Sequence, residues 1–246
     1  MAEPLAFQVT AHGGIDPDTE SPRFVAKHLS AYKFAAPFAT GRTLEIGFGD
    51  GYGSSLLARS SEEVIGVDLF EDNVQKAQAK HGGRNLKFLR MNATDLEGLA
   101  GGYFDLVVSF QVIEHIPQGR LGRYLEEIKR VLKKDGVACI STLNLARAMK
   151  KGQPYPKSPH HDKEFRPEEL RALLSAHFEN VKLYGLYPTA KHLFFEKIKK
   201  TGLTRALPEA WDPVQAFYRG IATRDFYWQA RKDLDGSIDL LGVCRN

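Results

Sequence analysis

Glycines at 47, 49, 51 and 53 punctuate the stretch LEIGFGDGYGS, residues 44–54, directly behind an apolar run that reads as a strand. A glycine turn in that position lets backbone come close to a ligand. It does not fit a phosphate cradle, because a Walker loop needs Lys-Ser or Lys-Thr after its last glycine and none follows here. The G-x-G-x-x-G spacing of a dinucleotide site fails too: counted from Gly47 the third glycine falls on Tyr52, and from Gly49 on Ser54. Glu45 sets a carboxylate at the strand end, where a pyrophosphate would be repelled. Asp68 follows Gly47 by 21 residues, at the end of the next strand, where it can accept from both hydroxyls of a ribose. The chemistry indicated is recognition of a nucleoside that carries positive charge and no phosphate.

The elements that must position these residues alternate. After an irregular stretch to residue 21, Val25, Leu29, Tyr32 and Ala36 fall at helical spacing. Strands are expected at 42–46, 63–68, 86–91, 104–110, 137–142, 181–186 and 237–243. Helices are expected at 52–59, 72–80, 119–134 and 167–177. FDLVVSF, residues 104–110, has the continuous apolar character of a strand buried on both faces. The order predicts a doubly wound α/β domain over 22–246. Residues 187–236 break the rhythm. They hold both tryptophans and nine of the 26 aromatic residues, which predicts a folded cap inserted between the last two strands.

Composition narrows the class. With 246 residues, 43% hydrophobic and 26% charged, the chain reads as one soluble domain. No run approaches the ~20 apolar residues of a membrane span, and no secretion signal opens the sequence, so a cytoplasmic location is expected. Cys139 and Cys244 support neither a disulfide framework nor a cysteine zinc site. A net charge of +4 permits an anionic substrate without indicating a nucleic-acid binder.

S-adenosylmethionine (SAM) is a nucleoside with a cationic sulfonium and no phosphate. The stretch LEIGFGDGYGS resembles the first motif of the class I SAM-dependent methyltransferases, an acidic residue followed by x-G-x-G-x-G, through Glu45, Gly47, Gly49 and Gly51. Asp68 in VIGVDLF matches the family's acidic ribose contact. MNATDL, residues 91–96, is similar to the adenine-side motif G-D-A-x-x-L, with Asn92 where Asp is usual. FDLVVSFQVIEHI, residues 104–116, resembles the fourth strand and the turn after it. The resemblance spans about residues 24–186 and the last strand. It implies a Rossmann-like, seven-stranded sheet with the last strand antiparallel and SAM as cofactor. It also implies a cofactor shell of Glu45, Gly47, Phe48, Gly49, Gly51, Asp68, Leu69, Asn92, Ala93, Thr94, Phe110 and Gln111. An amide oxygen on Asn92 would accept from the adenine amino group.

Methyl transfer from a sulfonium is an in-line displacement, and a hydroxyl acceptor needs a base. His115, just after the fourth strand, stands beside the methyl group in this arrangement, either as base or as a structural cap of its turn. His161 in HHDKEF matches the family's H-x-x-E-F, either as a base or as a hydrogen-bonding residue of the covering segment. His160, His161 and Asp162 are adjacent, and adjacent residues rarely converge on one ion, so no metal is expected. The 187–236 segment has nine Lys or Arg against six Asp or Glu. Basic and aromatic residues together suit either a single-stranded nucleic acid or a lid over a small organic acceptor. The absence of an Asn/Asp-Pro-Pro-Tyr motif and of a Pro-Cys nucleophile favours the small molecule. The acceptor atom, O, N or C, stays open, as do an RNA or protein acceptor, a SAM-binding protein without catalysis, and pairing of two copies as a homodimer. A nicotinamide-dependent oxidoreductase is disfavoured by Glu45 and Tyr52.

Overall fold

A computed structural model describes residues 16–149, 155–204 and 207–246. The loop expected over residues 1–21 lies outside the described residues as far as residue 15.

Helix α1 (Pro22–Ala35) starts where Pro22 presets the backbone and the Ser21 side chain accepts from the Phe24 amide. It buries Ala26, Ala31, Tyr32 and Ala35. Then follow β1 (Arg42–Ile46), α2 (Tyr52–Leu57), β2 (Glu63–Asp68), α3 (Glu71–His81), β3 (Leu86–Arg90) and β4 (Phe104–Phe110). Helix α4 (Leu121–Val131) ends three residues before the sequence suggests. Leu132 turns out of the helix to pair with Phe104, so β5 runs from Leu132 to Leu143. The rest comprises α5 (Leu145–Ala148), α6 (Pro167–Ser175), β6 (Asn180–Pro188), α7 (Ala190–Thr201), α8 (Pro213–Arg219), β7 (Phe226–Gln229) and β8 (Asp239–Arg245).

The strands make one sheet in the order β3-β2-β1-β4-β5-β8-β6-β7. The first five pair in parallel, and β8 enters antiparallel between β5 and β6. The sheet has eight strands, one more than expected. The extra one, β7, is the segment FYWQ, which pairs antiparallel with the end of β6 through Gly185–Pro188. Its run of aromatic side chains suits a strand; by position in the sequence these residues fall within the expected cap.

Apolar clusters cover both faces of the sheet. Leu121, Tyr124, Leu125 and Ile128 of α4 and Leu170 and Leu174 of α6 pack on one face. Tyr32, Leu57 and Ala77, from α1, α2 and α3, pack on the other. Within 187–236, Phe195 stacks on Phe217 at 4.4 Å, and Phe217, Ile221 and Phe226 close over Ala26 of α1. Salt-bridged Arg23 and Glu196, 2.8 Å apart, tie α1 to α7. Both cysteines are buried free thiols. No helix among the described residues is long and apolar enough to cross a membrane.

Candidate functional site

Strand order reverses at β1, which has β2 on one side and β4 on the other. The loops beyond the carboxyl ends of β1 and β4 therefore diverge and leave a crevice, the usual ligand position in an open α/β sheet. The glycine turn fills its floor. Gly47, Gly49 and Gly51 all have positive φ, at 75°, 59° and 89°. At Gly47 the requirement is double, because a Cβ there would also stand 2.4 Å from Val112 Cγ2. The turn is tied to the next strand: the Gly49 amide donates to Asp68 Oδ2 at 3.0 Å. Asp68 Oδ1 accepts from the Phe70 amide at 3.0 Å and Asn73 Nδ2 at 3.2 Å.

Glu45 differs from its expected position. Its carboxylate does not face the crevice but is turned into the protein, 1% exposed. Tyr32 donates to Oε1 at 2.5 Å and Ser54 donates to Oε2. Burial pushes its carboxyl up to about 7, and the charge of Asp68 pushes the same way. Asp68 is raised as well, by burial, against the hydrogen bonds that hold it down. Burial is thus the leading cause at both carboxyls, Glu45 beneath the turn and Asp68 at its edge.

The remaining expected cofactor residues lie around this crevice with unequal access. Phe48 is buried, its ring 4.6 Å from that of Phe88, so only its backbone belongs to the turn. Leu69 is exposed beside Asp68. Asn92 Oδ1, the oxygen expected to accept from the adenine amino group, accepts from the Thr94 amide at 2.9 Å and hydroxyl at 3.0 Å. Ala93 is half-buried and Thr94 buried. Phe110 is buried edge-on against Tyr32. Gln111 adopts φ 58°, alone among the described non-glycine residues in the left-handed region.

Gln111 lines a small cavity with Lys27, His28, Ser141, Trp228 and Asp239. Lys27 Nζ lies 3.3 Å from Asp239, a pair that joins α1 to the start of β8. Burial lowers His28 to about 3, so its ring is neutral, and its Nδ1 meets the Tyr52 hydroxyl at 3.0 Å. The buried Trp228 indole N–H has no hydrogen-bond partner among the described residues. Sequence reasoning missed Lys27 and Asp239, which no local pattern marks.

His115 and His161 do come together, with ring centroids 4.9 Å apart, edge to face. His115 Nδ1 lies 2.9 Å from the His160 carbonyl, and His161 Nδ1 lies 2.6 Å from Glu164 Oε1. Partial burial holds His115 below its ordinary value, and the neighbouring histidines add to this. Glu114 is a residue the sequence reading passed over within its E-H pair. It is 1% exposed, and burial pushes its carboxyl up to about 8. Its Oε2 has no hydrogen-bond partner among the described residues. The trio weighed for a metal from sequence, His160-His161-Asp162, is not the grouping found. One ligand atom each from Glu114, His115 and His161 lies within 4.8 Å of the others.

Residues 44–140 match the family model described as a methyltransferase domain. Over 98% of this chain and 90% of the relative, the sequence is 32% identical to a probable S-adenosylmethionine-dependent methyltransferase of Mycobacterium tuberculosis. A ubiquinone biosynthesis O-methyltransferase of Caulobacter vibrioides is 34% identical over 63% of this chain and 65% of its own length. In fold the chain is similar to a SAM-dependent methyltransferase from Archaeoglobus fulgidus, with TM-score 0.61 at 20% identity over 91% of this chain and 94% of that one.

Proposed function

The chain belongs to the class I SAM-dependent methyltransferases, and on that premise we propose that it methylates a small-molecule acceptor held between the glycine turn and the 187–236 segment. SAM is its cofactor and supplies, when bound, an electrophilic methyl on a positively charged sulfur.

The residues present suit that group. Asp68, raised by burial at the edge of the turn, gains from the positive charge that a sulfonium and an ammonium bring and a phosphate does not. In this reading the Asp68 oxygens, which keep lone pairs beyond those given to backbone amides, take the ribose hydroxyls. Leu69 covers the base, and Asn92 Nδ2 donates to a ring nitrogen of adenine. The turn at Gly47–Gly51 admits the methionine portion against backbone.

The observation that carries the small-acceptor reading is the cavity beside the end of β4. It is enclosed by α1, β7 and β8 and offers the Lys27–Asp239 pair, the Gln111 side chain and an unpartnered Trp228 N–H. The gap between these groups is no larger than a water molecule, so they serve as polar contacts for one edge of an acceptor that lies over them. Held there, the acceptor atom meets the methyl carbon in line, and orientation alone can be worth ~7–11 kcal/mol. His115 and His161 form the end of the site that handles the acceptor's proton. The segment 187–236 acts as the cap.

The test has two stages. Calorimetric titration with SAM, S-adenosylhomocysteine and NADH should give binding of the first two only. Incubating the protein with methyl-labelled SAM and a cell extract should put label in the low-mass fraction. Label confined to RNA or protein would overturn the small-acceptor reading and leave the cofactor intact.

A further inference from the structure

The geometry points to a divalent transition-metal site formed by Glu114, His115 and His161. Glu114 and His115 follow β4, and His161 comes from the segment after β5, so two separate loops bring one carboxylate and two imidazoles within 4.8 Å. The loops are fastened to each other. The Glu114 carbonyl accepts from the Asp162 amide at 2.8 Å, and the Asp162 carboxylate accepts from the Gln118 amide at 2.8 Å.

Two further features have no explanation in packing. Glu114 Oε2 is a buried carboxylate oxygen that makes no well-aligned hydrogen bond among the described residues, and the neighbouring Thr142 hydroxyl makes none either, which leaves both short of a partner. Each histidine also has its Nδ1 on an acceptor: the His160 carbonyl for His115, and Glu164 for His161. An acceptor there keeps the proton on Nδ1 and makes Nε2 the basic nitrogen, the orientation that outer-shell partners impose on metal-binding histidines. Glu164 is itself held by the Tyr155 hydroxyl. Metal–ligand bonds of about 2.0–2.2 Å put tetrahedral ligands roughly 3.4 Å apart, so the farthest pair must close by up to about 1.5 Å, within reach of side-chain rotation. Two imidazoles and one carboxylate suit manganese(II), iron(II), cobalt(II) or zinc(II) rather than magnesium, and leave open positions.

This deepens the preceding reading and rests on its placement of the acceptor at this end of the site. A hydroxyl coordinated to the cation loses its proton to water more readily. Its oxygen then forms the bond to the methyl carbon as the carbon–sulfur bond breaks, and the electron pair stays on sulfur.

Chelator-treated protein should be titrated with Mn²⁺, followed by electron paramagnetic resonance, and with Co²⁺, followed by visible absorption. One equivalent of each should bind. The cobalt spectrum should carry ligand-field bands, and manganese affinity should fall by more than about 10-fold in both Glu114→Gln and His161→Gln, but not in His177→Gln. SAM titrations on the same samples should be unchanged. Absence of stoichiometric binding by wild type, or affinity untouched by both variants, would overturn the site. If either variant fails to fold, nitrogen hyperfine coupling to manganese bound by wild type decides alone. Metal binding without SAM binding would instead count against the cofactor placement.

Discussion

Asp68 Oδ2 accepts the backbone amide of Gly49 at 3.0 Å, so the end of β2 and the turn after β1 form one unit. Removing the carboxylate takes away a ligand contact and the fastening of the turn together. Asp68→Ala is expected to lower SAM affinity by about 100-fold or more, as for loss of charged hydrogen bonds to two hydroxyls, while the far-ultraviolet dichroism stays native. Affinity equal to wild type in calorimetry would remove Asp68 from the site.

Gly47 carries two constraints that can be separated. Its φ of 75° costs an L-residue about 1–2 kcal/mol, and an added Cβ meets Val112 Cγ2 at 2.4 Å. Gly47→Ala should therefore destabilise the fold by more than the dihedral cost alone. Adding Val112→Ala should recover the steric part. Urea melts of the single and double variants measure the difference, and additivity of the two substitutions would refute the contact.

Glu45 makes stability depend on pH. Its folded carboxyl is raised to about 7 from an ordinary 4.5, so the native state holds a proton that the unfolded chain has lost between those values. Stability is then lost as pH rises through that window, by up to about 3 kcal/mol from this group. Other buried carboxylates slope the same way, so the measurement is a difference. Thermal melts of Glu45→Gln should fall less between pH 4.5 and 7 than those of wild type. Binding the cationic cofactor near pH 6 should also release protons, which calorimetry in buffers of different ionisation enthalpy detects.

Gln111 sits at φ 58° on the wall of the cavity. Glycine adopts that backbone without strain, and the relief offsets its greater unfolded-state freedom of about 0.5–1 kcal/mol. Gln111→Gly should leave the melting midpoint near that of wild type yet reduce acceptor-dependent formation of S-adenosylhomocysteine. A large loss of stability with unchanged turnover would show a structural residue instead.

Much of the frame was legible because the physics is local. β1, β2 and β4 have the expected limits, since each is a short, mostly apolar run bounded by turn residues. Helix α1 was placed by Val25, Leu29, Tyr32 and Ala36, yet its buried side is made mostly of Ala26, Ala31, Tyr32 and Ala35. Small residues let it lie close to the sheet, and their weak apolar signal hid the true face. The site was harder to read. Lys27 and Asp239 are 212 residues apart, and Glu45 turns inward because Tyr32 and Ser54 come from different helices to receive it. No spacing in one sequence reports such meetings. Glu114 was hidden by its histidine neighbour, which drew the chemical interpretation to itself.

The position of β8 has a consequence for how the protein is made. It follows every other strand of this sheet in the chain, yet it lies between β5 and β6 and pairs with both. Until it arrives, those two strands have no bond to each other and present bare edges. The nascent sheet can close from β3 to β5 early, but β6 and β7 must wait outside it. A chaperone that shields exposed strand edges should therefore engage this chain once β6 has emerged and let go when residues 239–245 have slotted in.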